Sequence, residues 1–391
     1  MYRLDINHQE NITPWEIPLS DRISYMLQKD DRKLCVIVYE QADTSTFRYR
    51  GYNIYQVMKE SSSWKTVYFF LDELESILFH LNQIDIIVLS RTRWSQKIQR
   101  FIDKVKDSET KFLFDTDDCV FDLNRLPILM NTLNVAEHEP DYDYWFSYVS
   151  RIGFVAEQAD GYISTNPFLG NVLKTKYNKE SYVIPNFLNK EQISFSEQCL
   201  ALKSKTKPDS KFVIGYFSGT PSHYNDFMIV YNDVMDLMKR YSDIYLHIVG
   251  FMELTEEMRP FVKAGRLKQI PLVDFITLQR LVAEVDVNIV PLEVNEFTNC
   301  KSELKFFEAA IVDTVTCASP NYTYKHAIED GVNGFLCSQT EWYDTLKRIY
   351  LKQIDTEAII KNAHTDVMNR YFGKNARQLI ENVYNSVLAA K

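Results

Sequence analysis

Long apolar runs are missing from this chain of 391 residues: nowhere do 18 apolar residues follow one another, so no membrane-spanning helix is expected. The first 22 residues are polar and interrupted by Pro14 and Pro18, without the apolar centre of a secretory signal. A reducing, cytoplasmic setting is the expectation. Excess basic charge is missing too, since 44 Lys and Arg stand against 53 Asp and Glu, a formal charge of −9. A dedicated nucleic-acid binder needs a dense basic face, so nucleic acid is not an expected partner. The six cysteines (Cys35, Cys119, Cys199, Cys300, Cys317, Cys337) form no C-x-x-C pair and read as buried thiols. Solenoid repeats and low-complexity tracts are absent as well.

What is present is an ordinary globular composition, 46% hydrophobic and 25% charged. Short apolar runs rich in β-formers alternate with helical stretches. In the first half they are 34–39, 66–70, 84–89, 111–114, 161–164 and 182–184. In the second they are 211–216, 244–249, 287–290, 314–317 and 334–336. Most are continuous rather than alternating, as strands buried on both faces should be. The pattern predicts an α/β chain of two doubly wound, Rossmann-like domains. The expected plan is an extension over 1–30, a first domain over 31–188, a polar linker over 189–210 and a second domain over 211–371. A helix over 372–391 is expected to pack back on the first domain.

In doubly wound folds, ligands collect beyond the carboxyl ends of strands. The segment Asn299-Cys-Lys-Ser-Glu-Leu-Lys-Phe-Phe-Glu-Ala-Ala310 follows one such end. From Ser302 its spacing predicts a helix, with Leu304, Phe307, Ala310 and Ile311 buried and Lys301, Lys305 and Glu308 on another arc. A helix start favours an anion through its N–H groups and dipole. Lys301 and Ser302 are therefore candidates for a diphosphate and Glu308 for a ribose diol, with Asn299 and Lys305 as further candidates for donor binding. The plainer alternative is a Ser-capped helix with a solvated Lys/Glu face.

Arg48 and Arg50 sit near another predicted helix start, Tyr52 to Glu60, where cations are disfavoured unless an anion is present. They are candidates for a phosphate or carboxylate of donor or acceptor, or else arginines paired with nearby acids. The fourth strand ends in Phe114-Asp-Thr-Asp-Asp118, three acids that need solvent, a partner or a cation. Asp115-Thr116-Asp117 also matches the D-x-D pattern of metal-dependent GT-A transferases; turn capping is the alternative.

Four blocks in the second half form a train: Val285-Asp-Val-Asn-Ile-Val-Pro-Leu292, the K-S-E-L-K-F-F-E-A-A helix, the strand to Ala318-Ser-Pro320, and Glu329-Asp-Gly-Val-Asn-Gly-Phe-Leu336. This train resembles the C-terminal domain of GT-B glycosyltransferases, specifically family 4 of retaining nucleotide-sugar transferases. The resemblance covers about 211–371 well and the first half loosely. It implies two domains facing across a cleft, a nucleoside-diphosphate sugar as co-substrate, no cofactor, no metal, and Glu308 on the donor ribose. Two departures stand out. The family's other glutamate, eight positions before Glu308, is here Cys300. The customary Arg and Lys after the domain's first strand are absent from Gly215–Asp226, where the Gly219-Thr220 turn and His223 are the candidate phosphate contacts. Lys301 and Lys305 would then supply the missing positive charge, and Asp117 or Asp118 would face the transferred sugar or orient the acceptor hydroxyl.

Two further stretches bear on the acceptor. Arg93, Lys97, Arg100 and Lys104 share one helix face, either simply solvated or resting peripherally on an anionic membrane that holds a lipid-linked acceptor. Leu123 to Tyr148, long and aromatic, is expected to lie over the cleft and shape the acceptor pocket. The expected activity is transfer of a hexose-type sugar to a hydroxyl of a glycan, lipid-linked or protein-linked acceptor. The alternative is a catalytically degenerate domain that scaffolds an active transferase. A two-lobed solute-binding protein is disfavoured by the missing export signal.

Overall fold

The computed structural model describes residues 2–136, 138–206, 210–219 and 224–390. Two wholly parallel six-stranded sheets carry the chain. The first contains β1 (Lys33–Tyr39), β2 (Trp64–Phe70), β3 (Ile86–Ser90), β4 (Lys111–Thr116), β5 (Gly161–Ser164) and β6 (Ser181–Val183), in the order β2-β1-β3-β4-β5-β6. The second contains β7 (Phe212–Gly219), β8 (Ile244–Gly250), β9 (Leu267–Ile270), β10 (Val287–Val290), β11 (Val315–Ala318) and β12 (Phe335–Leu336), in the order β12-β11-β10-β7-β8-β9. Burial on both faces explains the unbroken apolar runs: Cys35, Val36, Ile37 and Val38 of β1 are all buried. The strand β9 is absent from the expected set. It is a sheet edge whose Leu-Lys-Gln-Ile leaves two residues exposed, so it has no apolar run to find.

Each sheet reverses its order once, between β1 and β3 in the first and between β7 and β10 in the second. Such reversals splay the neighbouring connections apart and open a crevice at the carboxyl ends. A single apolar cluster runs through both domains, from Ile37 and Phe47 to Phe275, Phe307 and Tyr371. The two domains therefore share a core, not only a cleft.

Three segments bind the halves together. The N-terminal strap places Trp15 against Phe47, Tyr52 and Phe275, while the Leu4 N–H donates to Glu284 Oε1 at 3.1 Å. Residues expected to be a polar linker form a 14-residue helix, Lys190–Lys203, opened by an Asn189/Gln192 capping box. Gln192, Ile193, Phe195, Ser196 and Cys199 of that helix are buried. At the other end of the chain, the helix Gly373–Ala389 sets Tyr384 against Trp64 at 5.0 Å, and Asn385 accepts from the Trp64 indole N–H at 3.1 Å. All six cysteines are buried thiols. Among the described residues no helix is long and apolar enough to cross a membrane.

Candidate functional site

Both crevices open into one cavity of about 290 Å³ between the domains. From the first domain, the connection after β1 supplies Thr44, Thr46, Arg48 and Tyr49, and the end of β4 supplies Asp117. From the second come Ser218, Asn288, Lys305 and Glu308, with an apolar wall that includes Val249, Leu272 and Phe275. An apolar cavity with a few convergent polar groups is the usual form of a small-molecule site.

The connection after β1 is held in an unusual shape. Arg48–Tyr52 makes a π-helical turn before the α-helix Asn53–Met58, where a helix was expected only from Tyr52. Gly51 permits it: a Cβ there would lie 2.5 Å from the Phe47 ring, which is fully buried and hemmed in by Tyr68 and Phe70. π-helical turns of this kind are frequent at functional sites. This one presents Arg48 and Tyr49 side by side to the second domain.

Glu308 receives them. Its carboxylate is 7% exposed, accepts from the Tyr49 phenol at 2.5 Å, and has Arg48 and Gln192 at 3.4 Å each. Burial pushes the Tyr49 phenol up, so it remains a donor. The Arg48 guanidinium lies 4.1 Å over the Tyr49 ring and 4.7 Å over Phe275, and its Nη1 is buried without a hydrogen-bond partner. The Lys305 ammonium is pulled down to about 8, chiefly by desolvation, with the Lys301 charge adding to it and Asp226 and Glu308 opposing. One cavity wall thus carries a buried carboxylate, a desolvated lysine and an arginine whose Nη1 has no partner.

The structure separates the expected site residues into groups. It brings Glu308, Lys305, Arg48 and Asp117 to the cavity. Asp118 and Lys301 meet beside it, 3.7 Å apart, each from a different domain. Arg50 is elsewhere: fully buried, it grips Asp115 at 2.5 Å and donates to the Ile184 carbonyl and to Asn186. Asp117 pairs instead with Arg91 at 3.1 Å and accepts from Thr46 at 3.0 Å. The two acids of the D-x-D pattern therefore serve different arginines. Asn299 accepts the Tyr322 N–H at 2.7 Å and, with Ser302, does not line the cavity. Gly219 ends β7 next to the cavity-lining Ser218, while Thr220 and His223 lie outside the described residues.

The expected helix start at Ser302 needs correction. Thr298–Cys300 is a 3₁₀ turn, Lys301 is extended, and the α-helix begins at Leu304 and ends at Ala310. The physical reason is the Lys301 carbonyl, which accepts from Asn166 at 3.1 Å and from Thr323 at 2.5 Å, so the chain is pinned straight. The cradle of backbone amides expected at 301–302 is not formed. Nor is there a solvated Lys/Glu arc, because Phe306 through Ala310 are all buried.

Cys300 has a structural reason too. Phe297 and Cys300 belong to the apolar cluster of the first domain, alongside Cys119 and Phe121. Contact with the Cys119 thiol, together with burial, pushes the Cys300 thiol well up. The loop 293–301 is anchored further by Asn295 to Thr132 at 2.9 Å and Arg125 to Glu296 at 2.9 Å. A glutamate at 300 would have no solvent and no room.

Sequence reasoning missed Tyr49, Gln192, Thr46 and Arg91. Arg91 follows β3 with φ at +44°, a left-handed conformation rare outside glycine, asparagine and aspartate, and its N–H donates to the Asp115 carbonyl at 2.8 Å. No local pattern announces such a residue.

No protein-family model matches the chain, and no curated protein matches it in sequence. Among solved structures it is similar to a glycosyltransferase from Rickettsia africae, with 13% identity and a TM-score of 0.60 over 92% of this chain and 100% of that one. It is similar to HepE of Anabaena in complex with UDP, with 13% identity and a TM-score of 0.58 over 90% and 100% of the two chains. It is also similar to the pneumococcal O-GlcNAc transferase GtfA in complex with UDP and GlcNAc, with 13% identity and a TM-score of 0.53 over 81% of this chain. The chain spans 59% of the length of GtfA. At such identities the likeness is one of fold.

Proposed function

With the two-domain GT-B fold as premise, we propose that this chain is a glycosyltransferase that takes a hexose-type sugar from a nucleoside diphosphate, near family 4 of the retaining enzymes. The observation that carries the reading is the cavity wall itself: the Glu308 carboxylate, 7% exposed, beside Arg48 and Lys305. A carboxylate there can accept both hydroxyls of a ribose. Arg48, through its unpartnered Nη1, and Lys305 suit the diphosphate that follows. As the glycosidic bond breaks, negative charge grows on the leaving diphosphate, and these cations would stabilise it without a metal or cofactor. Asp117, held by Arg91 and Thr46 on the cavity wall, would orient the acceptor hydroxyl. The described carboxylates supply no clear nucleophile, so assistance from the leaving phosphate is the mechanism this reading adopts. The Asp118–Lys301 pair bridges the cleft and would help to exclude water on closure.

The test is direct. A screen of sugar nucleotides for nucleoside-diphosphate release should find a donor. Hydrogen bonds to a charged acceptor are worth about 1.5–3 kcal/mol, so Glu308→Ala should cut transfer roughly 10- to 150-fold with the fold intact. Unchanged kinetics would remove Glu308 from the site.

A second reading has one observation in its favour: the ribose-binding position of Glu308 is already filled by the Tyr49 phenol. A scaffold that never binds nucleotide would keep that bond for stability. Calorimetry with UDP, GDP and dTDP separates the two, since the scaffold should bind none.

A further inference from the structure

The helix Glu139–Gln158 carries aromatic side chains for which the donor site has no use. Tyr142, Tyr144, Trp145, Phe146 and Tyr148 fall within seven residues, and its buried positions begin only at Val149. Tyr144 is 56% exposed and Phe146 55%. The rings are ordered against one another: Tyr144 stacks on Tyr148 at 6.0 Å and 19°, and Trp145 meets the two edge-on at 5.5 and 5.6 Å. Trp145 and Tyr148 are half-buried against the first domain's core and hold the ledge in place, while Tyr142, Tyr144 and Phe146 leave aromatic surface in water, which marks a place of contact.

The ledge lies beside the arginine segment that holds the cavity's Asp117. Arg93 lies 5.7 Å over the Tyr148 ring and is fixed by Glu40 at 2.6 and 2.9 Å. Two residues earlier, Arg91 holds Asp117 on the cavity wall, and Tyr148 is near enough to act on the Arg91 charge.

Charge selects the occupant. Glu139, Asp141 and Asp143 alternate with the rings along the helix and outnumber Arg151 one turn beyond Tyr148, while Arg93 is paired with Glu40. An anionic lipid surface or a polyanionic chain would be repelled there. Neutral sugars fit on both counts: their C–H faces lie flat on aromatic rings, and their hydroxyls donate to carboxylates. Resting on the transferase reading, we propose that the Tyr144–Trp145–Tyr148 ledge binds the non-reacting sugars of a neutral oligosaccharide acceptor, whose terminal hydroxyl reaches the cavity at Asp117.

The test needs no donor. Tryptophan fluorescence of the full chain is followed on titration with maltohexaose, cellohexaose and chitohexaose, and UDP binding is measured calorimetrically on the same samples. At least one glycan should give a saturable change that Trp145→Phe removes. Tyr144→Ala should weaken that glycan about tenfold or more, Tyr144→Phe should restore it, and UDP binding should be unchanged in all three variants. The ledge is overturned if none of the glycans binds or if Tyr144→Ala binds like the parent chain. It is equally overturned if Tyr144→Ala abolishes flotation with phosphatidylserine vesicles or dissociates a dimer in sedimentation, since the occupant is then lipid or a second copy. Glycan binding with no nucleotide bound would instead defeat the transferase reading and leave the ledge standing.

Discussion

At the scale of residues, the decisive contact is the one between Tyr49 and Glu308. If Glu308 holds a ribose as proposed, the Tyr49 phenol must leave it before a nucleotide can enter, and the contact weakens every binding event. A net hydrogen bond is worth about 1 kcal/mol, and Tyr49→Phe should therefore tighten UDP binding about fivefold, as read by calorimetry. Weaker binding by the variant would show instead that the phenol contacts the ligand. Lys305 makes a second prediction through its pKa near 8. Below that value it is an ammonium and would attract the diphosphate of the proposed donor; above it the charge is lost. UDP affinity should be full below about pH 8 and fall as pH rises through it, and Lys305→Met should flatten the profile. The stability term runs the other way. The folded pKa lies below the ordinary lysine value, so the unfolded chain binds more protons between the two, and this group makes the fold more stable as pH rises across that window. Affinity that rises with pH would remove Lys305 from the diphosphate site.

At the scale of elements, the loop 293–301 and the short helix Leu304–Ala310 act as one piece, anchored in the other domain by Phe297 and Cys300. That anchoring fixes where Glu308 points. Replacing Cys300 by glutamate would push a carboxylate into an apolar cluster. An uncompensated buried charge costs on the order of 3–5 kcal/mol, so Cys300→Glu should lower the midpoint of urea unfolding markedly. A variant as stable as the parent would mean the loop can swing out of the first domain. The same elements show what was legible. The segment 299–310 read as the key helix, and a helix is there. Its start was misplaced because Asn166 and Thr323, distant in sequence, hold Lys301 extended.

At the scale of the whole molecule, the shared apolar core and the N-terminal strap make the two domains one cooperative body. Urea unfolding followed by tryptophan fluorescence and by far-ultraviolet circular dichroism should give coincident single transitions. Two separated transitions would show that each half folds on its own and that the interface is secondary. Closure over a bound donor would then be a matter of small adjustments around the cavity, since the buried contacts at Phe297, Trp15 and Tyr371 leave little freedom for a wide opening.

The sequence by itself determined the class of fold. Strands buried on both faces must be continuous apolar runs, and that signal is local, so eleven of the strands and the two-domain rhythm could be read from it; only the polar edge β9 escaped. Glu308 was singled out for a different reason, because a distinctive block of residues resembled a known one, and Lys305 because helical spacing set it on the same arc; both line the cavity. The tertiary structure alone decided which charges share the cavity. Arg48 and Arg50 are two residues apart, yet one faces Glu308 of the second domain and the other is locked on Asp115 in the first. Partners 260 and 65 positions away leave no trace in the neighbourhood of either arginine.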